Sequence, residues 1–358
     1  MQFNSPRNFR DIITFSVLSA KNVSVIREEP FEPYELRFLD LISLVTLNSK
    51  FYLSDKKKKI DFKPGTIEQD IYSSEEPFDC GNYRSISYFL EPLIVLGLFS
   101  KTKLHIKFKG LTNDSIDLPV DLYQNALVPM LKEFYEGLFM LDIKTIQKGF
   151  RPSANGLVQF KVGSVKKTLP VLRQLNSKKL IKRIRGNAIA GKVSSQFLGR
   201  MISTVRDHLN DFIPDVWVYS ELVKNSPDRF YGVSLYTNNF IVSDFCFDDL
   251  SDEEKRNPEE IARTAVYRLL DEIENSSEIV GTNFQPILLT LMAVADKDVN
   301  ACVFGRISEH SVWTLRLLKA FFGVDFKFKD HVKKNSDQNY VIASCVGCGL
   351  RNRTTELD

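Results

Sequence analysis

The chain has 358 residues, 43% of them hydrophobic and 26% charged, with a formal net charge of +3. That composition suits a globular protein with a sizeable core, built as one large domain or two to three smaller ones. The longest apolar runs, such as residues 92–99, are too short to span a bilayer, and residues 1–15 lack the features of a secretory signal. A soluble intracellular protein with no membrane contact is expected.

Apolar residues at helical spacing predict helices over 8–20 and 34–49, the first running into a strand at 22–26. Strand-like runs at 50–54 and 59–65 follow, and the lysines from Lys56 to Lys59 read as a solvated turn between them. The order recurs: a long apolar helix over 83–100, a strand at 103–110, a helix over 120–135, then strands at 141–149 and 156–163. A third round runs through 284–295, 299–305, 308–323, 324–330 and 340–347. Two helices and about four strands, used roughly three times, make an α/β protein in layers.

Residues 184–278 break this order. They open on a strand and continue with a helix over 194–213 capped by Ser194 or Ser195. Strands at 215–222 and 230–239 follow, then an acidic loop and a helix with Asn257 as N-cap, Pro258 at its first position and Glu260 at its third. The expected division is a core of 1–183 plus 279–358 and a smaller inserted α/β domain over 184–278.

Charge is unevenly spread. Between Asp142 and Asp207 lie 64 residues without an acid, where the average content predicts about eight. The window carries 15 Lys and Arg, so the remainder of the chain sums to −12. At its centre, 178–192 mixes Lys178, Lys179, Lys182, Arg183 and Arg185 with Leu180, Ile181, Ile184 and Ile189. A basic middle on an acidic remainder is the footprint of a polyanion site, and nucleic acid becomes the leading partner class.

Signs of catalysis are poor. Five scattered cysteines argue against a disulfide scaffold, and Cys345 and Cys348 lack two further ligands for zinc. His105, His208, His310 and His331 have no second metal-binding residue at a suitable spacing. Phosphate-binding and nucleophile-elbow motifs are absent, so neither a metal nor a cofactor is expected.

Five segments in order, 109–114 with 118–121, then 147–156, 180–188 and 212–221, together resemble the RNA 3′-terminal phosphate cyclase superfamily. They are most similar to its eukaryotic cyclase-like branch, nucleolar factors of small-subunit ribosome biogenesis, and the resemblance spans roughly 5–350. It implies three repeated two-helix, four-strand units with a small α/β domain inserted. It also implies where the chemistry should sit. Cyclases carry a His-x-Ala-Asp-Gln motif whose histidine is adenylylated. The matching segment here is 281–285, which keeps Gln285 but places Gly281 at the nucleophile. Covalent catalysis needs a nucleophilic side chain, and glycine has none. The family's glycine-rich N-terminal loop is replaced by Asn4, Ser5, Pro6 and Arg7, and a second glycine-rich stretch keeps only Gly156.

The resemblance therefore implies a phosphate-reading surface without cyclase activity. Its candidate residues are Arg7, Arg37, Lys109, Asn113, Lys148, Arg151 and Gln285. Lys182, Arg183 and Arg185 are expected to extend it along a groove between core and insertion. The implied function is a non-catalytic RNA-binding and assembly factor for pre-rRNA processing and 40S subunit biogenesis. Two alternatives stay open. One is an endoribonuclease, with Arg316 or Lys319 near Asp325; the other is an adaptor docking a ribosome-biogenesis GTPase. Implied partners are pre-rRNA, small nucleolar ribonucleoprotein components and that GTPase, in the nucleolus, with the chain a monomer inside a heteromeric complex.

Overall fold

A parallel strand pair joined through a helix, then a second helix and a hairpin, recurs three times in this computed structural model. It describes residues 1–4, 6–68, 76–137, 140–175, 181–224, 226–248, 255–277, 279–331 and 340–352. Ser5, Lys178, Lys179 and Leu180 lie outside the described residues.

The first unit comprises β1 (Gln2–Asn4), α1 (Phe9–Ser19), β2 (Val23–Ile26), α2 (Pro33–Val45), β3 (Lys50–Leu53) and β4 (Lys59–Lys63). Its sheet order is β1-β2-β4-β3, with β1 parallel to β2 and the other pairs antiparallel. The second comprises β5 (Phe78–Asp79), α3 (Ile86–Leu98), β6 (Leu104–Gly110), α4 (Val120–Leu122), α5 (Val128–Phe134), β7 (Leu141–Gln147) and β8 (Gly156–Val162). A π turn, Tyr123–Leu127, joins α4 to α5, and the sheet order is β5-β6-β8-β7.

The third unit opens with β9 (Arg173–Gln174) and is then interrupted. The inserted block runs β10 (Arg183–Gly191), α6 (Gln196–Leu209), β11 (Asp215–Val223), β12 (Phe230–Tyr236), β13 (Ile241–Phe247) and α7 (Pro258–Asn275), in sheet order β11-β10-β12-β13. The unit resumes with α8 (Gln285–Val294), β14 (Val299–Phe304), α9 (Glu309–Phe322), β15 (Lys327–His331) and β16 (Tyr340–Val346). Its order β9-β14-β16-β15 repeats the other two.

Local rules account for most of these elements. In β6, Leu104, Ile106 and Phe108 are buried while His105 and Lys107 are not, the period-two alternation of a sheet covered on one face. Helix α3 is buried nearly all round and contacts both α1 and α8, so the first helices of the three units meet at the centre. Asn257 accepts from the Glu260 N–H at 2.8 Å and Glu260 Oε2 accepts from the Asn257 N–H at 3.0 Å, as a capping box at α7 requires. Helix α6 starts at Gln196, and the Ser194 hydroxyl accepts from the Gln196 N–H at 3.3 Å.

Apolar packing follows the same division. One buried cluster unites the three units, from Phe9 to Leu172 and from Ile279 to Cys345, with Ile241 added. A second lies wholly in the inserted block, where Met201 and Val205 of α6 and Ala265 and Leu269 of α7 cover Ile184, Val216 and Val233. A third forms the seam between them. Phe150 of the second unit stacks on Phe230 with centroids 3.5 Å apart and joins Ile189, Phe245 and Phe247. No described helix is long and apolar enough to cross a membrane.

Candidate functional site: a central cleft and a basic strand

Two adjoining cavities of about 290 and 250 Å³ open where the three units and the insertion meet, sharing Ile116, Asp117, Leu118 and Asn283 in their walls. The larger takes Arg10 and Asp11 from α1, Tyr88 and Glu91 from α3 and His310 from α9, with Arg7, Arg84 and Tyr123. The smaller is acidic, lined by Asp114, Asp244, Asp271 and Glu272 around Arg268.

Arg10 anchors the larger cavity. It donates to Glu91 Oε2 at 3.0 Å and to the Tyr88 carbonyl at 3.1 Å, with its guanidinium 5.0 Å above the Tyr88 ring. Burial opposes its charge, but the carboxylates of Glu91 and Asp11 outweigh burial and raise its pKa. Arg84 makes a bidentate pair with Asp117 at 2.7 and 2.6 Å. His310 Nε2 meets Asp11 Oδ2 at 2.9 Å. Burial works against the imidazolium, yet the hydrogen bond and charge of Asp11 prevail, so the His310 pKa is raised and that of Asp11 lowered. Burial first, then the charge of Asp117, pushes Asp114 up to about 6, although the N–H groups of Ser85, Ile116 and Asp117 donate to it.

The charges of the larger cavity are matched within the fold. Arg10, Arg84 and His310 each face a carboxylate, and Arg7 pairs with Glu309 at the rim. An entering anion must compete with these partners rather than fill an empty cationic hole. Among the described residues, no group of three or more His, Cys, Asp or Glu is placed to hold a metal ion. Cys345 is buried, which pushes its thiol up to about 12.

The ten residues singled out from the sequence fall in different places. Arg7 borders the larger cavity. Arg37 is half-exposed on α2, 3.9 Å from Asp40, and Lys109 is exposed near the end of β6. Asn113 is buried and accepts from the Thr112 hydroxyl at 2.7 Å. Gln285 is fully buried: its amide donates to the Arg306 carbonyl and its Oε1 accepts from the Ser308 N–H and the Ser311 hydroxyl. Lys148 lines a separate cavity of about 500 Å³ at the seam, where it pairs with Asp121 at 3.0 Å and Glu221 at 2.5 Å. Arg151 donates to the Tyr83 carbonyl at 2.6 Å.

Lys182, Arg183 and Arg185 lie together at the start of β10, with Lys182 and Arg183 exposed. Arg185 forks onto Asp215 of β11 at 2.8 Å from both nitrogens. In the candidate nuclease group, Lys319 pairs with Asp325 at 2.6 Å and Arg316 lies 4.6 Å over the Trp313 ring, on an exposed surface.

Gly281 sits against the insertion. Its N–H donates to the Asn239 carbonyl at 3.1 Å, and a Cβ there would stand 3.0 Å from that oxygen, 3.1 Å from Glu272 Oε2 and 3.1 Å from Phe240. The neighbouring Thr282 N–H and hydroxyl both donate to Glu272.

Sequence reasoning missed Arg10, Asp11, Glu91 and His310. One signal was available: Glu91 is the single charge in the apolar run 86–100, and a buried acid demands a cationic partner.

Comparison with known proteins supplies the lineage. Residues 1–328 match the family model described as RNA 3′-terminal phosphate cyclase. The probable RNA 3′-terminal phosphate cyclase-like protein of Dictyostelium discoideum is 31% identical over 98% of both chains. That of Homo sapiens, an RNA 3′-terminal phosphate cyclase-like protein, is 30% identical over 97% of this chain and 95% of its own. The rRNA processing protein rcl1 of Schizosaccharomyces pombe is 30% identical over 89% of this chain and 86% of its own. With its threefold sheet order and that match over most of its length, the chain belongs to the RNA 3′-terminal phosphate cyclase family.

Proposed function

We propose that this protein is a non-catalytic RNA-binding and assembly factor for pre-rRNA processing in 40S subunit biogenesis, without cyclase activity. The surroundings of Gly281 carry the reading. At the position that the family resemblance gives to the nucleophile stands a glycine, and a Cβ there would press on backbone, carboxylate and ring atoms at 3.0–3.1 Å. Covalent transfer of adenylate has no acceptor there. The acid-free window supports RNA as the partner, and the name of the fission yeast relative, an rRNA processing protein, supports the process. We further propose a nucleolar site of action, with small nucleolar ribonucleoprotein components and a ribosome-biogenesis GTPase as partners, as the sequence resemblance implies.

Binding of a pre-rRNA fragment, read by fluorescence anisotropy, tests this. Three or four phosphate contacts should cost more than about tenfold in affinity between 50 and 200 mM salt. Incubation with ATP should leave the protein mass unchanged. Salt-independent binding, or a covalent adenylate, would overturn the proposal.

One observation favours a second reading, an endoribonuclease. The imidazole of His310, oriented by Asp11 in a cleft beside Arg10 and Arg84, has the form of a general acid or base. Under that reading His310→Gln abolishes cleavage of the fragment and leaves its binding intact.

A further inference from the structure

One face of the inserted sheet carries α6 and α7, against which Val216 and Val218 of β11 are buried. The opposite face is divided. Ile189, Phe230, Phe245 and Phe247 pack on Phe150 of the second unit, so that half is closed. The other half is not. Trp217 and Tyr219, two apart on β11 and therefore on one face, are 51% and 53% exposed. In register beside them on β10 lie Arg185 and Asn187, and Arg183 stands opposite Asp215. From α6, the Arg206 guanidinium lies 5.5 Å over the Trp217 ring.

From this patch we infer a base-stacking platform for single-stranded RNA, in which Trp217 and Tyr219 each take one base and the cations around them take the phosphates. The inference rests on the RNA-binding reading above and names its ligand class and position. Three features favour a single strand. The two ring centroids are 6.2 Å apart and inclined at 66°, whereas bases stacked in a duplex are ~3.4 Å apart, so the rings suit bases already splayed. The open half sets Trp217 and Tyr219 among polar neighbours, while the wholly apolar half, mostly phenylalanine, is already closed at the seam. The cations beside it, Arg183, Arg185 and Arg206, belong to the acid-free window, and among the described residues only Arg185 of these three pairs with a carboxylate, that of Asp215. Cation and aromatic side by side is the combination that holds single strands with little sequence preference.

Trp217 and Trp313 are the two tryptophans of the chain, so the Trp313→Phe protein reports on Trp217 alone. Its fluorescence is followed during titration with ten-nucleotide oligouridylate, oligoadenylate and a duplex of equal length, with thermal midpoints confirming folding. The single strands should quench Trp217 and the duplex should not. Trp217→Ala or Tyr219→Ala, measured by anisotropy with a labelled oligonucleotide, should raise the Kd about 5- to 150-fold, and Trp217→Phe should retain most of the affinity. If the parent protein binds single strands and neither alanine variant changes the Kd, the platform is wrong while the RNA reading stands. If the parent binds no RNA at low salt, the RNA reading itself fails and the platform with it. Unchanged RNA affinity together with loss of a protein partner from the purified complex would assign this face to protein and overturn the proposal.

Discussion

His310 of α9 and Asp11 of α1 meet at 2.9 Å across 299 positions of sequence, closing the third unit onto the first. Each holds the other's charge: His310 is raised and Asp11 lowered. A raised histidine contributes its full stability below its unfolded pKa, ~6.5, and loses it as pH rises through the folded value. A lowered aspartate contributes above ~3.9 and loses it as pH falls through the folded value. Both contributions are complete between about pH 4 and 6.5. The His310 side chain is 40% exposed, so solvent screening limits the effect. His310→Gln should cost about 1 kcal/mol at pH 5.5, with the difference fading at alkaline pH. Urea denaturation at a series of pH values checks it, and a difference that grew toward alkaline pH would refute the assignment.

The Arg10–Glu91 pair is a stronger structural commitment, because the two side chains are only 13% and 19% exposed. Removing one partner leaves a buried charge, and such losses run to about 3–5 kcal/mol. Arg10 keeps the Tyr88 carbonyl and a 3.8 Å contact with Asp11, so Glu91→Leu should fall at the low end of that range. The double change Arg10→Met with Glu91→Leu should recover most of the loss, since a well-packed apolar pair can replace a buried ion pair. Denaturant midpoints of the two variants decide it.

Much of this architecture was legible in the sequence, and what escaped has a physical reason. The helices and long strands announced themselves through period and caps, as Asn257 and Glu260 did at α7. The parallel edge strands β1, β5 and β9 are only two or three residues long, too short to show alternation, so the same element was missed in each unit. Strand β13 was missed because five of its seven residues other than Ser243 and Asp244 are apolar and nearly all are buried, which leaves no alternation to read. Lys148 drew notice as a cation, but nothing near it in sequence foretold Asp121 and Glu221 as its partners. Matched charges are a property of the fold, not of the window in which a cation is found.

At Gly281 the structure makes an unusual demand on any attempt to restore cyclase chemistry. Gly281→Ala would place a methyl group 3.0–3.1 Å from Asn239, Glu272 and Phe240 and should cost about 1–3 kcal/mol through overpacking. Gly281→His should cost more, because its Cβ meets the same three neighbours, and still yield no adenylate, since Asn4, Ser5, Pro6 and Arg7 replace the glycine-rich loop that the family resemblance implies. Thermal denaturation and intact mass after incubation with ATP measure both points. An adenylated Gly281→His protein would mean that the segment 281–285 can open.

The Lys148 bridge ties the second unit to the insertion beside the Phe150–Phe230 stack. Burial lowers its pKa, but Asp121 and Glu221 more than offset this and the net direction is upward, so the ammonium is retained. Lys148→Met keeps the stem's length and removes the charge, leaving Asp121 and Glu221 facing one another with nothing between them. Glu221 is 44% exposed, which reduces the penalty, so a loss of about 1–2 kcal/mol is expected. Because the ammonium is already spent on two carboxylates, RNA affinity should change far less than it does for Trp217→Ala. Hydrogen exchange should quicken first at the seam, around 121, 148 and 221, while β10 and β12 keep their protection. A variant as stable as its parent with RNA binding lost would instead make Lys148 a direct phosphate contact.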